Sequence, residues 1–324
     1  MKKINVRPFR RFWQDCFNCI VYSLTDYSQD VPELYYYNNM YSYIFTNEKV
    51  TENGEEYKSI VPWMDNFRLV DELTTNREKV QVYNMENPIE YIKEKVDEEK
   101  VILLGIDLFY WINEGLHYMN NHIIHMSLVI GYDDDTEELI VLETGNDMFA
   151  EHRVPYDRAT QAIKASTLVT RVSDLNKEYK VKMFTLDDLE FYAKNIISSI
   201  DEIIRKKDDI WKIENASDEG LFEVLSIIQT HMFSMQNRAK INGYMFENAF
   251  KSDTFSDSTF HDSFNEIAAD FEKLKGACIK AQYKNDKKKA IDSIKSKMFI
   301  LLNKERQLWT AFEETSEKMG FLYA

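Results

Sequence analysis

The stretch HMSLVIGYD, residues 125–133, decides the fold of the first half of the chain. It is apolar enough to form a strand that is largely buried. An acidic turn at 133–138 and a second apolar run, ELIVLE at 138–143, follow it directly. Two apolar runs joined by a short polar turn predict a β-hairpin.

The segments around this hairpin predict a mixed architecture. KVILLGIDLFYW at 100–111 predicts another buried strand, and residues 167–172 predict one more. Residues 89–96, after Asn-Pro, predict a short amphipathic helix. The aromatic segment at 35–45 suits strands or the wall of a ligand pocket.

The second half of the chain predicts helices. All 5 prolines precede residue 156. Thr185 is placed to cap a helix, with Asp188 in the capping-box position, and apolar residues then recur at helical spacing. Further helices are expected near 219–235, 260–283 and 290–319. The fold class is therefore predicted to be α+β, with an all-α C-terminal domain.

The composition excludes several classes of protein. A net charge of −15 disfavours general nucleic-acid binding, which needs a basic surface. The 3 cysteines cannot form a disulfide framework. The longest apolar run is too short to span a bilayer, and the first residues lack the apolar region of a secretory signal. We therefore expect a cytoplasmic protein without nucleic-acid or membrane partners.

The best candidates for catalytic residues are a cysteine and a histidine, which supply a thiol and an imidazole. A thiol nucleophile needs a base, and the base needs a third group that orients it. Cys16, in the segment QDCFNC, and His125, at the start of a predicted strand, supply the first two. Glu143 lies on the adjacent predicted strand and is the expected orienting acid, with Asn146 and Asp147 as alternatives.

Other cysteines and histidines invite different interpretations. Cys19 is the rival nucleophile but is better explained as a small core residue, and Cys278 lies in an apolar helical segment. His122 and His125 are three residues apart, and side chains at that spacing point to opposite faces of a strand. No metal site is therefore expected. His117 and His122 either line a pocket entrance or are ordinary loop residues.

The segment at 125–143 resembles the His-x5-Gly-Tyr-Asp block of papain-like cysteine peptidases, notably those that trim bacteriocin leader peptides. With VILLGIDLFYW at 101–111, it is similar to the N-terminal domain of the butirosin-biosynthesis acyltransferase family. The resemblance covers about residues 10–150. It implies a papain-like catalytic domain over 1–178 and a C-terminal helical domain over 179–324.

The resemblance also implies a function. Members of the family move an acyl group from a carrier-protein thioester to an amine, in nonribosomal or carrier-templated antibiotic biosynthesis. Cys16 would be the nucleophile, His125 the base and Glu143 the orienting acid. The donor would be the phosphopantetheine arm of an acyl or peptidyl carrier protein, the acceptor a small amine or diamine, and no cofactor would be bound. The alternatives are a cysteine peptidase or amidase and an inactive, protease-like binding protein.

The chain departs from the family pattern at three positions. Glu143 stands where Asp is usual, and Phe17 follows the nucleophile where Gly is common. Arg10 occupies the position of the usual oxyanion-hole glutamine. The remaining candidates for an oxyanion or positioning role are Gln14 and Asn18.

Three residues near the predicted strand at 100–111 are candidates for substrate binding. Asp107 lies in an apolar run, where an unpaired carboxylate would be costly. It therefore has a partner, either in a structural hydrogen bond or in an amine substrate. Tyr110 and His122 are the other two candidates.

The first eleven residues are basic in an otherwise acidic protein. Arg7, Arg10 and Arg11 follow two lysines and precede any acidic residue. Carrier proteins are typically acidic, so this patch is a candidate for docking the carrier or the phosphate of its arm. The alternative is a solvated, frayed terminus.

Overall fold

The computed structural model describes residues 1–10, 15–25, 39–63, 68–115, 117–145, 149–179, 185–248 and 259–323. The chain divides into two units. The first unit combines Met1–Val31 with Asn66–Val181, and the second combines Pro32–Asp65 with Lys182–Ala324.

The strands and helices of the described residues are named here in chain order. The strands are β1 (Lys2–Lys3), β2 (Ser42–Lys49), β3 (Glu56–Trp63), β4 (Thr74–Val80), β5 (Val101–Asp107), β6 (Ile124–Asp133), β7 (Glu138–Thr144), β8 (Phe149–Pro155) and β9 (Thr170–Leu175). The helices are α1 (Cys16–Thr25), α2 (Arg68–Leu73), α3 (Pro88–Asp97), α4 (Tyr156–Ala165), α5 (Leu186–Arg205), α6 (Asp218–Asn248), α7 (Thr259–Gln282) and α8 (Lys287–Tyr323).

The first unit is built on an antiparallel sheet with the order β4-β9-β5-β6-β7-β8, and β1 pairs with β6. The predicted hairpin is confirmed, because Tyr132 pairs with Leu139 and Asp133 with Glu138. The helix predicted at 89–96 is confirmed as α3. On one face of the sheet, apolar residues of β5, β6 and β7 pack with α3 and α4 in a core that excludes water.

The strand predicted over 100–111 is shorter than expected. It ends at Asp107, and Leu108–Tyr110 form a 3₁₀ turn. The cause is local, because the Asp107 side chain accepts a hydrogen bond from the Phe109 amide at 3.0 Å and so caps the turn. The strand predicted at 167–172 lies slightly later, at Thr170–Leu175.

The second unit contains the β2–β3 hairpin and helices α5 to α8. The predicted capping box is confirmed, since Thr185 Oγ1 accepts from the Asp188 amide at 3.1 Å and Asp188 Oδ2 accepts from the Thr185 amide at 3.1 Å. The other predicted helices are present as α6, α7 and α8. Both α6 and α8 extend beyond their predicted ends, α6 most of all, whereas α7 ends one residue before its predicted end. None of the described helices is long and apolar enough to cross a membrane.

The predicted division at residue 178 needs one correction. Residues 32–65 fall in the second unit, although the prediction placed them in a catalytic domain over 1–178. The reason is packing, because β2 lies against α5, and β3 lies against α6. Within this unit, Tyr41 and Tyr43 each donate a hydrogen bond of 2.5 Å to the buried carboxylate of Glu305. Tyr35, Tyr36 and Tyr37 of the aromatic segment lie outside the described residues.

Candidate active site

Cys16 is the first residue of α1. The helix begins there because Asp15 acts as its N-cap, with Oδ1 accepting from the Asn18 amide at 2.7 Å. The first amides of a helix have no partner within the helix, and its dipole places partial positive charge at that end. This position therefore offers amide donors to a negative charge that develops near the Cys16 sulfur.

His125 and Glu143 lie on neighbouring strands of the sheet. The register pairs Leu128 with Leu142, which brings the start of β6 next to the end of β7. His125 Nε2 lies 3.5 Å from Glu143 Oε1, longer than an ordinary hydrogen bond, so the contact is chiefly a charge attraction.

The thiol of Cys16 completes the group. One ligand-type atom from each of Cys16, His125 and Glu143 lies within 4.8 Å of the other two. The structure therefore brings together the three residues that the sequence singled out. Because Nε2 of His125 is directed at Glu143, the other ring nitrogen, Nδ1, is left for the thiol.

The charge state of His125 follows from its neighbours. Burial alone lowers the pKa of His125, but the attraction of the Glu143 carboxylate and the hydrogen bond with Cys16 outweigh it and raise this pKa to about 10. The imidazole is therefore protonated at neutral pH when the thiol is in its hydrogen-bonded arrangement. An imidazolium beside the sulfur stabilises a thiolate.

The Glu143 carboxylate is buried, and one of its oxygens is fixed by a backbone hydrogen bond. It is 1 % exposed, and its Oε1 accepts a hydrogen bond from the Thr144 amide at 2.9 Å. Asn146 and Asp147, the alternatives for this role, lie outside the described residues, as do Gln14 and Arg11. Among described residues, Glu143 is thus the carboxylate that faces His125.

Buried polar atoms without a hydrogen-bond partner in the described part of the chain are concentrated here. They include His125 Nε2, Glu143 Oε2, Thr144 Oγ1, His117 Nδ1 and His152 Nε2. Buried polar atoms are rarely left unpaired without a functional reason or a bound water, ion or ligand. The cluster therefore has the character of a site that receives a polar substrate.

Two further histidines belong to the first unit, and His117 is the one shown to lie near His125. Burial lowers the pKa of His117, and the charge of His125 lowers it further, so His117 is near the site and neutral. His152 packs against Gly145, where an added Cβ would lie 3.0 Å from the ring. The sequence analysis did not single out His152, because it lies in the charged run EHR. The signal for strand β8 was the alternation of exposed Glu151 and Arg153 with the less exposed Ala150, His152 and Val154.

The Asp107 carboxylate is hydrogen-bonded to residues of the loop that follows β5. Its Oδ1 accepts from the amides of Phe109 at 3.0 Å and Ile123 at 3.2 Å, and its Oδ2 lies 2.7 Å from His122 Nδ1. The His122 ring stacks on Phe109 with centroids 4.2 Å apart, and Tyr110 meets the same ring edge-on. The buried carboxylate thus fixes an exposed imidazole, and this pair lies outside the group formed by Cys16, His125 and Glu143.

Three other candidate residues, Asn18, Cys19 and Cys278, are buried. Asn18 is fully buried, and its Nδ2 donates to Asp15 Oδ2 at 2.6 Å, so its amide belongs to the cap of α1 and not to an oxyanion hole. Cys19 and Cys278 are fully buried core residues. Burial raises the pKa of the Cys278 thiol to about 12, which keeps it protonated and unreactive.

The basic N-terminal segment is ordered, contrary to the alternative of a frayed terminus. Residues Lys2 and Lys3 form β1, and their ammonium groups pair with Asp97 and Glu151. Gly131 permits this pairing, because a Cβ there would lie 2.4 Å from the Lys2 carbonyl oxygen.

The arginines of this segment differ from its lysines. Arg7 and Arg10 are exposed and make no ion pair with described residues. Their charges are therefore available to a partner.

The donor set of the candidate site would also suit a metal ion. Thiolate, imidazole and carboxylate are the ligands of tetrahedral zinc, and the three side chains are close enough to share one ion. Cys19 and His122 lie at Cys-x2-Cys and His-x2-His spacing from Cys16 and His125. Among the described residues, neither belongs to this group of three.

No protein-family model matches the chain, and no curated protein matches it. The family resemblance that the sequence suggests therefore stays a prediction.

Proposed function

We propose that the protein is a cysteine-nucleophile acyltransferase that moves an acyl group from a carrier-protein thioester to an amine. The observation that supports it best is the placement of Cys16 at a helix N-terminus with His125 and Glu143 within 4.8 Å. Thiolate, protonated imidazole and orienting carboxylate are the parts that acyl transfer through a thioester requires. Metal catalysis is not needed for this chemistry.

The first half-reaction forms the acyl-enzyme. The Cys16 thiolate attacks the thioester carbonyl, and amides at the start of α1 are placed to stabilise the oxyanion. The carbon–sulfur bond to the carrier then breaks. The leaving thiolate takes the proton of the His125 imidazolium, which leaves neutral His125 beside an acylated Cys16.

The second half-reaction makes the amide. Neutral His125 accepts a proton from the acceptor amine as its nitrogen attacks the acyl-enzyme carbonyl. The carbon–sulfur bond to Cys16 breaks, and the thiolate–imidazolium pair is restored. Glu143 holds the ring of His125 in place throughout.

The fold we propose for the first unit is papain-like. Support comes from the order of its parts: a helix that begins with the cysteine, followed by antiparallel strands that carry the histidine and then the acid. The family resemblance at 101–143 implies the same fold. It also implies the antibiotic-biosynthesis setting. The cytoplasmic location that we propose rests on the 3 cysteines and the short apolar runs.

For the partner, we propose an acyl or peptidyl carrier protein that presents its phosphopantetheine arm. Arg7 and Arg10 support this, since both are exposed and lie less than ten residues before Cys16 in the chain. The positive charges of these arginines would attract and orient an acidic carrier surface. Replacing both arginines with glutamate should lower kcat/KM for a carrier-bound donor and leave it unchanged for a small thioester, which needs no docking.

Intact-protein mass spectrometry with a small acyl thioester tests the proposal. An acyl adduct is expected on the wild type and on the matched Cys278→Ala variant, and none on Cys16→Ala. Added amine should clear the adduct and yield amide. Clearance to free acid alone would identify a hydrolase of the peptidase or amidase type, and no adduct at all would identify a binding protein.

A further inference from the structure

The first turn of α1 carries two of the 3 cysteines of the chain. Cys16 is the first residue of this helix, and Cys19 follows three residues later. Cys278 lies on α7, in the second unit. Cys16 and Cys19 are thus the two thiols that share a unit and a helix.

Helix geometry places these two thiols next to each other. In an α-helix, Cα atoms three residues apart are separated by about 5 Å, within the range of roughly 4.4–6.8 Å that a disulfide spans. Helical side chains lean toward the N-terminal end of the helix, so the Cys19 side chain lies over the turn that Cys16 begins. A small change in this turn is therefore enough to join the two sulfur atoms.

The start of a helix allows such a change. The Cys19 amide donates to the Asp15 carbonyl at 3.0 Å, which is the first hydrogen bond of the helix ladder. The Cys16 amide precedes this ladder and has no partner within the helix. The backbone at Cys16 is therefore less constrained than it would be in the middle of a helix.

The two thiols differ in their access to solvent. Cys16 is partly exposed, whereas Cys19 is fully buried. A small oxidant therefore reaches the Cys16 sulfur first. His125 lies beside this sulfur, and an imidazolium neighbour makes a thiol reactive. An accessible, reactive cysteine next to a second cysteine is the arrangement of redox-sensing sites.

We propose that Cys16 and Cys19 form a reversible disulfide when the protein meets hydrogen peroxide. The Cys16 thiolate attacks one peroxide oxygen, and the oxygen–oxygen bond breaks. The released hydroxide takes the proton of the His125 imidazolium and leaves as water, so Cys16 becomes a sulfenic acid. The Cys19 thiol then attacks the Cys16 sulfur, and its proton leaves with the hydroxyl group as a second water. Two thiols are oxidised, and one peroxide is reduced to two waters.

The disulfide would act as a redox switch on the candidate site. It occupies the Cys16 sulfur, so no acyl group can be attached while the bond lasts. This consequence rests on the proposed function, whereas formation of the disulfide does not. Reduction by a small thiol would restore both cysteines, since disulfides in reducing compartments are transient.

Peptide mapping after treatment with hydrogen peroxide tests the proposal. Trypsin releases both cysteines in one peptide, residues 12–49, because no lysine or arginine lies between Arg11 and Lys49. In the wild type, we expect this peptide to lose two hydrogen atoms and to resist iodoacetamide until dithiothreitol is added. Cys278, which is fully buried in α7, should remain a free thiol.

Two variants separate the roles of the cysteines. Cys19→Ala lacks the second thiol, so peroxide should carry Cys16 on to the sulfinic acid, which dithiothreitol does not reverse. Cys278→Ala also removes one buried cysteine and is the matched control, which should form the disulfide as the wild type does. After peroxide, acylation of Cys16 by a small thioester should fall about tenfold or more in all three proteins. Dithiothreitol should restore it in the wild type and in Cys278→Ala, and not in Cys19→Ala.

Two outcomes would overturn the proposal: a wild-type peptide that keeps both thiols after peroxide, or one that gains the sulfinic acid as fast as Cys19→Ala does. The wild-type map decides the first outcome without any variant. It also requires no acyl transfer. A wild type that forms the disulfide but takes no acyl group would refute the transferase and leave the redox switch standing.

Discussion

At the scale of single residues, the proposed chemistry depends most on the charge of His125. It sits between a buried carboxylate and a thiol, and both stabilise its positive charge. Burial opposes them, yet the net effect raises the pKa of His125 to about 10. These neighbours place a protonated imidazole next to the Cys16 thiol before substrate arrives, which is the arrangement that the proposed first half-reaction uses.

The pKa of His125 is directly measurable. In ¹⁵N-histidine NMR, its ring should titrate near pH 10, well above the ordinary 6.5. Glu143→Gln should lower this midpoint, because it removes the carboxylate charge and keeps the shape. The control is Glu114→Gln, whose carboxylate faces His152 instead. A midpoint near 6.5 in the wild type would contradict the raised pKa of His125.

The same shift has a consequence for stability. The folded-state pKa of His125 lies above its ordinary value, so the protonated ring adds to the free energy of unfolding below about pH 6.5. That contribution disappears as the pH rises through about 10. Denaturant unfolding of wild type and Glu143→Gln should therefore differ in their pH dependence within this window, with the wild type losing more stability towards high pH.

At the scale of elements, the position of each chemical group depends on how a strand or helix begins or ends. Asp15 sets the start of α1 and so places Cys16 at the helix N-terminus. Asp107 ends β5 and starts the loop that leads to β6. Gly131 lets β1 approach β6. Each of these residues acts on the site through backbone geometry.

The pairing of β1 with β6 depends on Gly131. Gly131→Ala should lower the melting temperature, because its Cβ would lie 2.4 Å from the Lys2 carbonyl oxygen and 3.0 Å from the Lys3 Cα. We expect a loss of about 1–3 kcal/mol in the free energy of unfolding. Gly276→Ala is the control, since nothing lies within 4 Å of the added Cβ in helix α7, and it should stabilise by about 0.5–1 kcal/mol. Equal effects of the two substitutions would refute the close approach.

At the scale of the whole molecule, the three central residues and the C-terminal helices α5 to α8 belong to different units. The first unit holds the three central residues, and the second is organised around a buried carboxylate. Glu305 is fully buried, and burial raises its pKa, while hydrogen bonds from Tyr41, Tyr43 and Trp309 act against that rise. These bonds explain why residues 32–65 join the C-terminal helices.

This organisation predicts a stability effect within the second unit. Tyr41→Phe removes a 2.5 Å hydrogen bond to buried Glu305 and should lower the free energy of unfolding by about 1–3 kcal/mol. Tyr283→Phe, at a residue that is 79 % exposed, should change it by less than about 0.5 kcal/mol. Calorimetry of both variants checks this, and an unchanged melting temperature for Tyr41→Phe would argue against the network.

Much of this organisation could be predicted from the sequence because it rests on local patterns. The hairpin of β6 and β7 followed from apolar runs and an acidic turn, and α5 followed from its capping box. Glu143 could be placed beside His125 because hairpin pairing is short-range. That residues 32–65 belong to the second unit could not be predicted, because the hydrogen bonds from Tyr41 and Tyr43 to Glu305 span more than 260 positions of the chain. The roles of Asn18 and His152 likewise depend on three-dimensional contacts.

The central claim is that His125 activates Cys16, and the rate of Cys16 alkylation by iodoacetamide at pH 7 tests it most directly. Peptide mapping by mass spectrometry reports Cys16 separately from the buried Cys19 and Cys278. We expect Cys16 to react on the order of tenfold faster in the wild type than in His125→Ala, because the variant keeps the thiol but loses the imidazolium. Equal rates in the two proteins would contradict the account.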